Sequence, residues 1–389
     1  MPRTHPIIYA VATCLFSWTL TANAAKQPVI LSTDLALGLR SVQGETASYA
    51  TNAAPQDCDD GLALAYMLNL KDEYDVRGVV VTYGNAPLAP ELEAAKRLLD
   101  LKNRMDVPVL AGASAPLINP DAANATAWTI NNETLPLYGD RKGQTGCVNP
   151  GVTFMLEQAQ NGPVTILLLG PLTDIACLLY HYPEVSANLT LIALAGEAPN
   201  NAVEINGHLV RDFNVYMDPL AAAYLVGLDN IELTFMVWEL TSMTSLPSAP
   251  VKLNRATLKG NPSGRNASLD WMLPAIDARN EYWESIFKVD FEGPFDQYVP
   301  YYLANPTSFH CEKQYVYMQQ CDGGGCSESY TTSGQLLYAK TYTGDNMNGT
   351  GRYTGTVRTS RAKQHTVCTS FASTDALHQF NTSLITYTY

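Results

Sequence analysis

The stretch Pro55-Gln56-Asp57-Cys58-Asp59-Asp60-Gly61-Leu62-Ala63-Leu64-Ala65 decides how the chain is read. Asp57, Asp59 and Asp60 place three carboxylates within four residues, and an apolar run follows at once. Ala63, Leu64, Met67 and Leu68 recur at helical spacing, so the acidic residues open a helix. A helix N-terminus favours each nearby carboxylate by roughly 0.3–1 kcal/mol. Three so close exceed what capping needs, because like charges repel. A bound cation resolves the repulsion; a solvated acidic turn is the plainer alternative.

Upstream, residues 28–33 (PVILST) read as a short apolar strand that ends at Asp34. A carboxylate at the C-terminal end of a buried first strand lies where open α/β sheets place ligands. Residues 35–58 between the two segments read as a long loop, and such loops in compact domains are usually functional or mobile. Downstream, strands are expected over 76–82, 107–111, 164–169, 189–194 and 231–237. Helices over 91–101, 152–159, 173–180, 219–226 and 269–289 alternate with them, and one more opens at Phe295-Asp296. Residues 118–147 and 206–218 read as irregular loops. From Gln314 the pattern turns β-like, over 314–318, 335–340 and 356–359. The alternation predicts an α/β fold: an open, mostly parallel sheet flanked by helices, with a small β-rich C-terminal part. No repeat or linker divides residues 26–389, which are expected to form a single domain.

Composition narrows the function classes. The chain of 389 residues is 46% hydrophobic, enough for a sizeable core. A formal net charge of -13 argues against nucleic acid or an anionic membrane surface as partner. Residues 1–25 read as a secretory signal peptide: Arg3 and His5 precede an apolar run, and Ala22-Asn23-Ala24 is a small-x-small cleavage site. No later stretch is long and apolar enough to span a bilayer. A secreted, extracellular location predicts disulfide bonds. Seven cysteines follow the signal: Cys58, Cys147, Cys177, Cys311, Cys321, Cys326 and Cys368. The number is odd, so one is left over, and Cys177 in its apolar helix is the expected free thiol. The other six allow fifteen connectivities. Sequons at Asn124, Asn132, Asn188, Asn266, Asn348 and Asn381 predict a glycoprotein.

Several motifs, in order, resemble the inosine-uridine-preferring nucleoside hydrolase family. That family's signature is D-T-D-x-G-x-D-D-A-x-A after the first strand. Here Ser32-Thr33-Asp34 is parted from Asp59-Asp60-Gly61-Leu62-Ala63 by the long insertion. Thr82-Tyr83-Gly84-Asn85 resembles the family's G-N, and Pro108-Val109-Leu110-Ala111-Gly112-Ala113 its P-V-x-x-G-A. Gly170-Pro171-Leu172-Thr173-Asp174-Ile175-Ala176 is similar to G-P-L-T-N-I-A, and Asp212-Phe213-Asn214-Val215-Tyr216-Met217-Asp218-Pro219 to E-F-N-x-x-x-D-P. Asp296 stands where the family has a late His-Asp pair. The matches run up to about Asp296.

The resemblance implies hydrolysis of the N-glycosidic bond of ribonucleosides, giving free base and ribose through an oxocarbenium-like ribose. It implies a calcium ion held by Asp34, Asp60, Asp296 and the backbone carbonyl of Thr173, with oxygen ligands suited to a hard cation. The ion would also bind the water, lower its pKa and take two ribose hydroxyls, with Asp34 as general base. Asp59 would accept a ribose hydroxyl, and Asn85, Asn206, Asp212 and Asn214 would complete the sugar grip. The partner is then a small-molecule nucleoside, with a homo-oligomer admitted as the assembly.

The departures carry expectations of their own. Ser32 replaces the signature's first aspartate, and Asp57 could compensate or replace Asp34. Asp212 stands for a glutamate. Phe295 stands for the late histidine, which removes a proton donor for the leaving base; Phe295 could stack on a base, so altered specificity or a weaker rate is expected. The rival function is a secreted glycoprotein that keeps the fold for binding without catalysis. Local readings stand beside these: Asp296 as a helix N-cap, Asn85 and Asn206-Gly207 as turns, and Asp218 as the cap of the next helix. Tyr282 and Trp283 fit core packing better than a cover over the base. Cys58 is a candidate to pin the inserted loop through a disulfide.

Overall fold

In the computed structural model the first strand, β1 (Gln27–Thr33), is fully buried from Val29 onward, as an uninterrupted apolar run in the middle of a sheet should be. The structure describes residues 25–37, 58–117, 147–198, 204–205, 208–209, 212–240, 253, 257–258, 267–288, 294–322, 335–340, 356–359 and 361–387. Helix α1 (Asp59–Asn69) follows, then β2 (Tyr74–Val81), α2 (Leu88–Leu101) and β3 (Val109–Ala111). Next come α3 (Pro150–Asn161), β4 (Val164–Leu168), α4 (Thr173–His181) and β5 (Leu189–Leu194). A short pair, β6 (Glu204–Ile205) and β7 (His208–Leu209), precedes α5 (Phe213–Met217), α6 (Pro219–Gly227) and β8 (Leu233–Met236). The chain closes with α7 (Ala267–Phe287), α8 (Tyr298–Ala304), β9 (Phe309–Asp322), β10 (Gln335–Ala339), β11 (Thr356–Thr359), β12 (Lys363–Phe371) and α9 (Thr374–Tyr387).

The main sheet runs β10-β9-β12-β8-β5-β4-β1-β2-β3, with β11 also paired to β9. Every pairing from β12 to β3 is parallel, whereas β9 is antiparallel to β12, β10 and β11. The expected mostly parallel α/β sheet is therefore present. Its C-terminal strands extend the same sheet rather than standing apart.

Helices cover both faces, and the side chains alternate accordingly. Val29 and Leu31 of β1 pack with α1, α2, α7, α8 and α9, while Ile30 packs with α3, α4 and α6. The chain leaves β1 toward β2 and β3, then returns to lay β4 on the other side of β1. That reversal makes the carboxyl ends of β1 and β4 the topological switch point, the place where open sheets bind ligands.

Some expectations need correction. Cys177 is not the free thiol: it is bonded to Cys147, which ties the segment before α3 to α4. A second disulfide joins Cys311 to Cys368, directly opposed on β9 and β12. Cys58 remains a buried thiol at the N-cap of α1, so it does not pin the inserted loop through a disulfide. The segment 206–218 is not all loop, since α5 and one strand of the short pair fall within it. β12 and α9 escaped the sequence reading. The β12 sequence KQHTVCTSF alternates weakly, and α9 is rich in Thr and Asn, which are poor helix formers. No helix among the described residues is long and apolar enough to cross a membrane.

Candidate active site

The site grows from the end of β1. Thr33 is buried, and its hydroxyl donates to the carboxylate of Asp60 in the first turn of α1. Asp34 follows, and its Oδ2 accepts the backbone N–H of Asn85 at 3.0 Å. The Asn85 side chain then donates from Nδ2 to Asp60 Oδ2 at 3.3 Å. One residue after β2 thus clasps both halves of the split signature.

Two glycines explain why Asp34 fits. A Cβ on Gly84 would lie 1.9 Å from Asp34 Oδ2, and one on Gly170 would lie 2.7 Å from Oδ1. The carboxylate occupies a slot between the ends of β2 and β4 that only glycine leaves open.

Asp59, Asp60 and Asp296 each bring a carboxylate oxygen within 4.8 Å of the others, and they are only 5%, 1% and 2% exposed. The α1 N-terminus offsets a fraction of that repulsion. Buried like charges cost far more, unless a cation or protons compensate them. A set of hard, anionic oxygens in one buried spot fits a hard divalent cation. The other cluster of potential ligands among the described residues, Cys147, Cys177 and His181, has both sulfurs committed to a disulfide.

Thr173 opens α4 just beyond β4, on the same rim. Its hydroxyl donates to Asp218 Oδ2 at 2.6 Å and meets the Tyr83 hydroxyl at 3.4 Å. Asp218 also accepts from the N–H groups of Leu117 and Ala221, at 2.9 and 3.0 Å, so it caps α6 as read. Asp212 caps α5 by accepting from Val215 N–H and takes Gly196 N–H at 2.6 Å. Burial pushes the carboxyls of Asp212 and Asp218 up to about 6, against the lowering effect of their donors. Asn214 donates from Nδ2 to the carbonyls of Leu169 and Leu194 at 2.5 and 3.1 Å, clamping the ends of β4 and β5.

Phe295 is buried, and its ring packs against Trp238 at 4.9 Å in the core on the α1 side. Asn206 and Asp57 lie outside the described residues, as do the side chains of Tyr282 and Trp283 on α7.

Two residues escaped sequence reasoning. Glu91 in α2 is fully buried, and its Oε1 accepts the N–H of Ala86 at 2.5 Å. Desolvation, followed by the charge of Asp34, raises its carboxyl well above the usual range; Asp60 adds to the effect. Gln297 follows Asp296 and is fully buried. Neither carries a motif: Glu91 looks like an ordinary first-turn acid, and only the folded chain brings it near Asp34.

The fold and site define a doubly wound α/β protein with a carboxylate-lined candidate cation site at its switch point. The profile of the family "Inosine-uridine preferring nucleoside hydrolase" matches residues 55–377. The chain belongs to that family. The match starts beyond β1, since the insertion cuts the signature, and extends well past Asp296.

Among relatives, the chain is 30% identical over 213 residues to the pyrimidine-specific ribonucleoside hydrolase RihA of Salmonella enteritidis, covering 53% of this chain and 66% of that protein. It is 32% identical over 173 residues to the RihA of Escherichia coli O139:H28, covering 43% of this chain and 54% of that protein. The chain thus matches less than two thirds of these relatives' lengths. A solved structure described as a plant nucleoside hydrolase, the PpNRh1 enzyme, superimposes with a TM-score of 0.61 at 16% identity, covering 92% of this chain and 99% of that one. That likeness establishes the shared fold.

Proposed function

We propose that this chain is a secreted, calcium-dependent hydrolase that cleaves the N-glycosidic bond of ribonucleosides into free base and ribose. The observation that carries this reading is the meeting of Asp59, Asp60 and Asp296 within 4.8 Å. Asp34 and Asn85 adjoin that cluster. Asp34, Asp60, Asp296 and the Thr173 carbonyl hold the ion on this reading. A calcium ion held there would supply positive charge that lowers the pKa of a nearby water.

Asp34 takes a proton from the attacking water as the water oxygen bonds to C1′ of the ribose. The C1′–N bond breaks toward the base, whose nitrogen keeps the electron pair and takes a proton from solvent, to which Asp34 later returns the one it received. Asn85 fixes the directions of Asp34 and Asp60, since it bonds to both. Asp59 accepts a ribose hydroxyl, and Asn206, Asp212 and Asn214 would complete the grip on the sugar. Phe295, seated on Trp238, forms wall rather than proton donor. The signal-like residues 1–25 and the two disulfides support an oxidising, extracellular setting. Of the sequons, Asn188 donates its side-chain nitrogen to the Ala159 carbonyl at 2.8 Å, which makes it the weakest glycan acceptor of those described.

The test is base release from inosine, uridine and adenosine with calcium and with chelator, for the wild type and Asp60→Ala. Release that needs calcium and is lost in the variant supports the reading. No release from any nucleoside with calcium present sinks it. The packing of Phe295 against Trp238 favours a second reading, a fold kept for binding alone; calcium-dependent nucleoside binding without release would establish that one instead.

A further inference from the structure

Gln297 occupies the N-cap position of α8, yet its side chain does not cap the helix. It is 0% exposed, and neither Oε1 nor Nε2 has a hydrogen-bond partner among the described residues. Buried carboxamides are normally satisfied, and ordered water is the usual partner when protein groups are not. Gln297 lines a cavity between α1, α7 and the turn before α8. Its apolar wall includes Leu62, Leu253 and Ile276; Asp59 and Asn280 join Gln297 as its polar members. Asn280 donates from Nδ2 to the Leu253 carbonyl at 2.9 Å, which fixes that wall. The cavity has a volume of about 10 Å³, the room of a single water and far less than a nucleobase needs.

We propose that Gln297 is a positioning residue: it holds one ordered water against Asp59 and thereby aims that carboxylate at the ribose. Nε2 donates to the water oxygen, and the water donates to Asp59. The site lies one residue from Asp296 and on the first residue of α1, so the water buttresses the carboxylate cluster from behind. The part concerning ribose rests on the hydrolase reading; the water itself does not.

A high-resolution crystal structure of the wild type tests the water directly. A single water within hydrogen-bond distance of both Gln297 and Asp59 is expected. A dry cavity, or an occupant out of reach of Asp59, overturns the proposal whether or not the protein is a hydrolase. In Gln297→Leu the same experiment should show Asp59 rotated or split between conformers; an unmoved Asp59 overturns it. Kinetically, Gln297→Leu should raise KM about tenfold, as loss of a hydrogen bond to a charged group does. kcat should stay within about twofold and Tm should not fall. In an Asp59→Asn background the same change should alter KM by less than about twofold, because both act through one carboxylate. A fully additive KM effect would mean direct substrate contact, and an unchanged KM a purely structural amide; either overturns the role. Failure of the wild type to release any base sinks the hydrolase reading alone, and the crystallographic result still decides the water.

Discussion

Two acidic groups line the same rim of the sheet and are treated oppositely. Asp212 and Asp218 point each carboxylate oxygen at a donor: Gly196 and Val215 for one, Leu117, Ala221 and Thr173 for the other. Asp60 also meets donors, from Thr33 and Asn85, but Asp59, Asp60 and Asp296 in addition bring oxygens within 4.8 Å of one another, which the first pair does not. The first pair is scaffold, because donors from the backbone replace water. The second group is poised for a cation, because a cation bound between the carboxylates relieves their mutual repulsion while leaving them ionised. Acidity at a helix start therefore says little until the direction of each oxygen is known.

The sharpest way to break this distinction is to remove one member of each group. Asp60→Ala should cut base release by about a thousandfold or more, the scale of metal-assisted charge stabilisation. Its metal-free Tm should fall less than that of Asp218→Ala, since the loss of one of three facing charges offsets the loss of an acceptor for Thr33 and Asn85. Calorimetry of calcium binding should show the site lost. If Tm falls steeply instead, Asp60 is scaffold too and the contrast collapses.

Asp218→Ala should do the reverse. Three donors lose their acceptor, at about 1–3 kcal/mol for each unsatisfied group and with partial relaxation, so unfolding free energy should drop by about 3 kcal/mol in urea. Calcium affinity should change little by comparison.

The same contrast predicts a pH signature. Burial pushes Asp218 up to about 6 from its ordinary 3.8. Its folded value exceeds its unfolded one, so its contribution to stability is complete below about pH 4 and is lost as pH rises through about 6. The difference between about 6 and 3.8 corresponds to about 3 kcal/mol. Urea midpoints measured between pH 4 and 7 should show this decline, and Asp218→Asn should flatten it. His365 acts in the opposite sense. It is fully buried between the Leu233 N–H and the Val226 carbonyl, and burial holds its ring below the ordinary 6.5. Its contribution is present above that value and fades as pH falls, so His365→Gln should soften acid unfolding.

The parallel centre of the sheet was legible because buried strands are written as plain apolar runs, as at 164–169. The meeting of Asp59, Asp60 and Asp296, with Asp34 beside them, was legible because motif order survives an insertion. What stayed hidden depends on direction and on distant contact. Asp212 reads as a sugar ligand and the structure also makes it a helix cap; Asn214 reads the same way, and its amide nitrogen clamps two strand ends. Cys177 sits in an apolar helix, which suggested a buried thiol, yet the fold lays Cys147 beside it. β12 has one buried face and a polar sequence, so its place beside β8 emerges only from the completed sheet.

The smallest effect belongs to Glu91, which lies between the two groups in kind. One oxygen accepts a backbone donor, as in the scaffold pair, while the charges of Asp34 and Asp60 bear on it, as in the cation cluster. Its bond to Ala86 braces the turn that carries Asn85, and Asn85 in turn holds Asp34 and Asp60. Glu91→Gln keeps an acceptor for Ala86 and removes a carboxyl that the neighbouring charges disfavour. Base release should stay within about twofold of wild type and metal-free stability should rise slightly. Glu91→Ala leaves the Ala86 N–H without its acceptor and frees the turn, so base release should fall about tenfold through misplacement of Asn85. Equal losses in the two variants would mean that the negative charge of Glu91, not its brace, is what the site uses, and would move Glu91 into the cation cluster.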